Sequence, residues 1–409
     1  MSYTAPLKQI QERCGAGFIR CGPSQEASST GSELGESVEG VELVESFGSY
    51  EAEYAAIRQR VGLAHMPQSG LVELAGSDRT DFLQRILTNN VADLNPGESQ
   101  RSFLLNQKGR IVADLMVLQD KSVTLMVVDV FDVDNVIKTL KSMLFAEDIA
   151  IRNLSNSYEL LVLHGPAAPQ VVKQMDVSRK DISLDVLSHC TVHLSAASCV
   201  LYRHDVAGEP GLHLLVPSER VAQIYQQLLD VLGFEPGRVV DADFGSHRRQ
   251  TLRGWPVGWL ALNTARIEAG TPIFHIDFGT DSLPAETAVM DEAVSFTKGC
   301  YVGQEIVARM HNLGHPKRLL VGFRVKGSTL PIAGAQVFEP SAQQDLMANS
   351  QQIIGGVTSS TVSPLLGRAV VGFAVMKWGR HAVDTPILVP AEGQLVEAQI
   401  HDVRFLKGL

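Results

Sequence analysis

Residues 296–310 read FTKGCYVGQEIVARM. Cys300 stands between Gly299 and Tyr301, two residues after Lys298, and Gly303 closes the short stretch before Gln304 and Glu305. Glycines at 299 and 303 let the backbone turn tightly there. Ile306, Val307 and Met310 then take helical spacing. A thiol just ahead of a helix N-terminus feels the positive end of the macrodipole, and Lys298 adds a cation nearby; both favour thiolate. That would make Cys300 a nucleophile or a ligating sulfur. The same spacing also suits an inert cysteine filling a turn, because free cysteines are small and often buried. A third option is a cysteine–histidine nucleophile pair, with His275, His311 and His315 nearest in sequence. His311 and His315 have metal-ligand spacing on a helix, but Gly314 and Pro316 predict that the helix ends first.

Two carboxylates and an arginine also stand out. Asp114 lies in GRIVADLMVL, a predicted strand, where a carboxylate among hydrophobic side chains is costly unless partnered. Glu209, in HDVAGEPGLHLL, sits at a glycine-flanked turn, where a solvated acid is also common. Arg266, in ALNTARIEAG, is two residues from Glu268 and suits either an ion pair with it or an anionic ligand. Asn106, Gln107 and Lys108 occupy the turn before the strand of Asp114 and rank lower, since polar loop residues are common.

These residues need a scaffold. The 409 residues are 45% hydrophobic and 20% charged, with a net charge of −10. This is ordinary globular composition and length for two or three domains. No apolar run approaches the ~18 residues of a membrane span, and the start, MSYTAPLKQIQERCGAGF, lacks a signal-peptide layout; the expectation is cytoplasmic. Five unpatterned cysteines argue against a disulfide framework or a cysteine zinc site, and the expectation is no resident iron–sulfur cluster. The acidic balance argues against broad nucleic-acid binding; the basic clusters Arg248–Arg249–Arg253 and Arg309–Lys317–Arg318 read as surface or small-anion sites.

Residues 23–46, rich in Ser, Gly and Glu, predict a flexible acidic insertion. Tyr54, Ile57 and Val61 share a helical face, and Phe82, Leu83, Ile86 and Leu87 another. GRIVADLMVL and SVTLMVVDV form a hairpin turned at QDK, closed by the helix FDVDNVIKTLKSML. A second β-β-α unit runs from YELLVLHGP to SERVAQIYQQLLDVLGF. The expectation is an α+β fold of ferredoxin-like units over 1–316, followed by a small β-barrel over 317–409, where short strands alternate with Gly and Pro.

KGCYVGQE, Lys298–Glu305, resembles the signature of the YgfZ family of folate-binding proteins, in the superfamily of the aminomethyltransferase (T-protein) of glycine cleavage. FGSYEAEYAAIRQRVGLAHM, the long block from Gly76 to Leu118, ARIEAGTPIFHIDFG and GGVTSSTVSPLLGRAVVGFAV resemble superfamily blocks in the same order. The resemblance implies a multi-domain fold of that kind and a tetrahydrofolate (or derivative) ligand. Asp114 matches the second carboxylate of the T-protein pattern G-G-x-x-D-D-L, the catalytic one; the first is Ala113 here. Glu209 matches the pterin-binding Glu of a Y-T-G-E-x-G block, whose Tyr and Thr are Val206 and Ala207 here. Arg266 matches an arginine of the folate region. A pterin offers several N–H donors that carboxylates can accept, and an arginine can meet the glutamate tail. The function implied is a folate-binding accessory protein for assembly or repair of iron–sulfur enzymes, which would be its partners, with Cys300 acting. The alternative is a folate-dependent aminomethyltransferase in which Asp114 assists attack by a folate nitrogen. In the first of these, the pocket is expected in the body of the α+β units, with Asp114 and Glu209 lining it and Cys300 on a loop near its rim.

Overall fold

The computed structural model describes residues 5–22, 40–175, 185–237, 253–312, 314–340 and 353–406. Most of the expected insertion, 23–39, and Arg248 and Arg249 lie outside the described residues. The chain divides into two compact units: Met1–Arg79, Leu94–Ser99 and Met116–Leu262 form the first, and Thr80–Asp93, Gln100–Leu115 and Asn263–Leu409 the second.

The first unit holds a six-stranded sheet in the order His189–Leu194, Ala197–Arg203, Gly211–Pro217, Tyr158–His164, Gly62–His65, Trp255–Pro256. Only the last pairing is parallel. The helix Val221–Leu232 covers this sheet because Val221, Ile224, Tyr225, Leu228, Leu229 and Leu232 recur at helical spacing and are all buried. It stops at Gly233, whose φ of 67° is the left-handed conformation that closes a helix C-terminus. Leu7 and Ile10 of the helix Ala5–Arg13 join the same core. Burying each such aliphatic side chain is worth about 1.5–3 kcal/mol against exposure.

A five-stranded sheet runs Glu98–Leu105, Ile111–Gln119, Val123–Asp129, Ser69–Ala75, Ala150–Asn153. The expected hairpin is present, with Met116 opposite Val127 and a turn closed by Asp120 N–H donating to the carbonyl of Val123 at 2.9 Å. The helix Val133–Ser142 packs so closely on this sheet that a Cβ on Gly70 would lie 2.3 Å from Val133 Cγ2. Residues 100–105 and 111–115 of the first two strands are assigned to the second unit.

One expectation changes. Residues 41–46, predicted to close the acidic loop, instead form the strand Val41–Ser46, paired antiparallel with Gly17–Cys21. Its Val41, Leu43 and Val44 are buried, and that apolar run outweighs the Ser/Glu-rich composition before it.

In the second unit, Arg318–Val325, Ala369–Lys377, Ile353–Ser363, Gln336–Phe338, Pro386–Ala391 and Gln394–His401 close into a barrel. Phe323, Val337, Val370, Met376, Val389 and Ile400 fill it. Alternate residues of one barrel strand, Ser359, Thr361 and Ser363, meet Arg266, Thr264 and Glu268 of the helix Trp259–Ala269. Period-2 alternation puts the three hydroxyls on one face of the strand.

Candidate functional site

The motif loop is held by Lys298, Tyr301 and Gly303. Lys298 is buried, and its ammonium donates to the backbone carbonyls of Leu87 at 2.6 Å and Asn89 at 2.9 Å. Its Nζ also lies 5.2 Å from the centre of the Tyr301 ring. Burial lowers the Lys298 pKa to about 8, because the charge has left water. Tyr301 is buried beside Phe103, Leu105, Ile111 and Phe274, and burial raises its phenol to about 12.

Gly303 has φ 81°, and a Cβ there would sit 2.8 Å from the carbonyl oxygen of Asn106. Only glycine fits that close approach. The helix Gln304–Asn312 starts next, with Glu305 in its first turn, where a negative charge suits the macrodipole. Gly299 and Cys300 are exposed. The ammonium expected beside the thiol is thus turned inward onto carbonyls. His311 is stacked on Phe296 at 3.9 Å and His315 on Trp378 at 4.6 Å, and the helix ends before His315 as its sequence predicts.

Asp114 and Ala113 point to opposite faces of their strand: Ala113 is buried, and the Asp114 side chain keeps 15% exposure. Arg101 clamps that carboxylate with Nε to Oδ1 at 3.0 Å and Nη2 to Oδ2 at 2.6 Å. This two-pronged, charge-assisted geometry is the strongest that arginine makes with a carboxylate. Arg101 also reaches Glu292 at 3.5 Å, and Glu292 pairs with Arg404 at 3.3 Å. Asn89 donates its amide to the carbonyls of Arg101 and Glu292, both at 2.9 Å. Asp114, Arg101, Asn89, Lys298 and Cys300 therefore belong to one unit. Asn106, Gln107 and Lys108 are exposed in the turn before that strand.

Glu209 belongs to the first unit and keeps 28% side-chain exposure. Burial raises its pKa, partly opposed by Arg58, whose Nη1 lies 4.0 Å from Oε1. Arg58 comes from the helix Tyr50–Gln59 and also donates to the Ala207 carbonyl at 2.6 Å. A small cleft in the same unit is lined by His65, Met66, Gln68, Val257 and Trp259 among others.

Arg266 is placed differently from a ligand contact. It is fully buried, and burial lowers its pKa while Asp277 opposes the shift. Nη1 donates to Asp277 at 2.7 Å and Thr271 O at 3.1 Å, Nη2 to Ser359 at 2.8 Å, and Nε to Asn263 at 2.9 Å. Glu268, the partner its spacing offered, bonds Ser363 instead.

Sequence reasoning overlooked Arg101, Asn89 and Arg58. Arg101 follows Glu98, Ser99 and Gln100 in ESQRSFLL, where one more polar residue gives no signal that it is buried. Nothing local marked Asn89 or Arg58.

The GCVT N-terminal domain profile matches residues 25–298, more than half of the chain, and the glycine cleavage T-protein C-terminal barrel domain matches 318–407. The chain belongs to the glycine cleavage T-protein family. Among its family relatives, an aminomethyltransferase of Caldanaerobacter subterraneus is 27% identical over 88% of this chain and 89% of its own. Another from Bacillus pumilus is 28% identical over 90% and 93%, and one from Chloroherpeton thalassium 26% over 99% of both. The structure of glycine cleavage system aminomethyltransferase T from Bartonella henselae superposes with a TM-score of 0.78 over 98% of this chain and 97% of that one, at 21% identity. The α+β fold with a closed C-terminal barrel is thus that of the glycine cleavage T-protein family. No helix among the described residues is long and apolar enough to cross a membrane.

Proposed function

We propose that the protein is a tetrahydrofolate-dependent aminomethyl- or one-carbon transferase. The observation that carries this reading is the Asp114–Arg101 clamp, in a chain matched along nearly its whole length by relatives named aminomethyltransferase. A carboxylate has about four lone-pair positions, so with both oxygens on Arg101 it still has capacity for a pterin N–H on its exposed side. Glu209 of the first unit keeps exposed carboxylate surface that can accept an N–H donor, with Arg58 4.0 Å away.

Bound tetrahydrofolate would supply the nucleophilic nitrogen that takes up the one-carbon unit. Asp114, fixed in orientation by Arg101, would orient that nitrogen and stabilise the positive charge that develops on it during attack. A positioned carboxylate of this kind contributes roughly 10²–10⁴-fold when it handles a proton, and proximity supplies much of the rest. Arg266 enters as the anchor of its helix, since protein acceptors occupy its donors. The test is methylene-tetrahydrofolate turnover with a glycine-cleavage carrier protein; turnover absent in the wild type, or retained in Asp114→Asn, counts against the reading.

A second reading follows from one specific observation. Lys298, Tyr301 and Gly303 each have a packing role, whereas Cys300 is exposed and has none. In this reading the chain is a YgfZ-like folate-binding accessory to iron–sulfur enzymes, and Cys300 is its working group. Cys300→Ser, still folded and still supporting iron–sulfur enzyme activity, would remove it.

A further inference from the structure

Lys298 stands out as a buried cation whose charge no carboxylate among the described residues offsets. Its two acceptors are the carbonyls on either side of Thr88. That short turn is tied in two further directions. Thr88 donates its hydroxyl to Ala293 O at 2.6 Å, and Ser295 N–H donates to Thr88 O at 3.0 Å. Asn89 donates to the Arg101 carbonyl at 2.9 Å, and Arg101 is the residue that clamps Asp114. Every link in this series is a hydrogen bond within one unit, and Lys298 is the member that joins it to the motif loop.

We infer that Lys298 is a positioning residue which couples the order of the loop 299–303 to the Arg101–Asp114 pair through the 87–89 turn. Two lines of geometry support the coupling. The lysine replaces water on both carbonyls, so loss of the ammonium leaves two acceptors unsatisfied at the turn. The loop's second fastening, Gly303 against Asn106, lies on the turn before the strand of Asp114, so both attachments of the loop lead to the two strands that hold the clamp. Such an arrangement has the physical continuity that coupling requires.

The inference concerns what arranges the carboxylate of the proposed folate site, and it rests on that reading only for its ligand arm. Amide hydrogen exchange on the full chain tests it without ligand, in wild type, Lys298→Met, Lys298→Arg, Asp114→Asn and the Lys298→Met/Asp114→Asn double variant. Met keeps the length and apolar stem of lysine and removes the donors. The expected result is at least tenfold faster exchange in both 299–303 and 87–103 in Lys298→Met, with most protection restored by arginine. Asp114→Asn should speed exchange at 299–303 several-fold when Lys298 is present and add little when it is absent. Loosening confined to 299–303 in Lys298→Met, or an Asp114→Asn effect of the same size in both backgrounds, would overturn the coupling. A global rise in exchange in Lys298→Met would signal unfolding, and the arginine variant then decides: it must keep wild-type protection in both segments and the Asp114→Asn effect, or the inference fails. In the ligand arm, anaerobic titration with tetrahydrofolate should give a Kd raised at least fivefold in Lys298→Met. If the wild type does not bind tetrahydrofolate, the proposed function fails while the exchange experiment still judges the lysine.

Discussion

Replacing Arg266 by Met separates two roles for this side chain. The sequence resemblance places it in the folate region, whereas the structure surrounds it with protein acceptors. The guanidinium and its partner Asp277 are 0% and 1% exposed. Asp277 also accepts from Ser359 at 2.5 Å, Thr358 at 2.8 Å and Ile273 N–H at 2.9 Å. Methionine leaves this carboxylate buried with neutral donors only, and breaking one side of a buried pair costs about 3–5 kcal/mol. Against a total of about 5–15 kcal/mol that is a large fraction. Urea denaturation at neutral pH, followed by far-ultraviolet circular dichroism, should therefore lose about 3–5 kcal/mol in Arg266→Met. A paired Arg266→Met/Asp277→Leu change should recover most of it, since an apolar replacement removes the stranded charge as well. In that recovered variant, tetrahydrofolate should bind with a Kd within about twofold of wild type. A loss under 1 kcal/mol in Arg266→Met would refute the structural argument. A tenfold weaker Kd in a fully folded double variant, about 1.4 kcal/mol, would mean that the arginine meets the ligand after all.

Further outcomes follow from the same geometry. Asp114→Asn and Glu209→Gln should each weaken tetrahydrofolate at least tenfold by anaerobic titration, and unchanged affinity in either removes that residue from the site. Acid should destabilise the first unit through His164 and His213, both buried and lowered to about 3 and about 4 by desolvation. Their folded values lie below the ordinary 6.5, so the unfolded chain binds protons first and stability falls as pH drops below that value. The loss between pH 7 and 5 should approach roughly 2 kcal/mol per histidine; a pH slope identical in wild type and His213→Leu would contradict this. Gly303→Ala should cost at least ~1–2 kcal/mol, since alanine must adopt a left-handed φ and its Cβ meets Asn106 O; denaturation measures it. Cys300→Ser should shift stability by less than about 0.5 kcal/mol and abolish labelling of that position by iodoacetamide; a larger shift would mean the exposed thiol is packed.

Local periodicity accounts for what the sequence revealed. The helices at 50–59, 79–86, 133–142 and 221–232 carry apolar residues at helical spacing, and the C-terminal strands are separated by Gly and Pro. Val41–Ser46 was hidden because composition was averaged over a window that joined it to a Ser/Glu-rich neighbour. The site was legible one residue at a time: Asp114 is a carboxylate in an apolar strand, and Cys300 sits in a dense motif. Its connections were not, because they join distant parts of the chain. Arg101 meets Asp114 across a 13-residue separation, but Thr88 meets Ala293 across 205, and no local pattern announces such a pair. Lys298 shows the limit most directly. Its position beside Cys300 predicted an electrostatic neighbour for the thiol, while its four-carbon stem carries the charge away to the turn at 87–89.

Leu87 and the Lys298 ammonium that caps its carbonyl are 211 residues apart. At roughly 5–20 residues per second of synthesis, the turn waits roughly 10–40 s on the ribosome for its lysine. The strands at 98–119 are complete long before then, but the segments 80–93 and 100–115 share their compact unit with residues from 263 onward. A nascent chain released before Lys298 would carry Asp114 and Arg101 without the 293–303 anchor. The assembly of the clamp is in this way timed by the last third of the message, and a circular permutant that places 263–406 ahead of residue 5 would reverse the order in which the two halves wait.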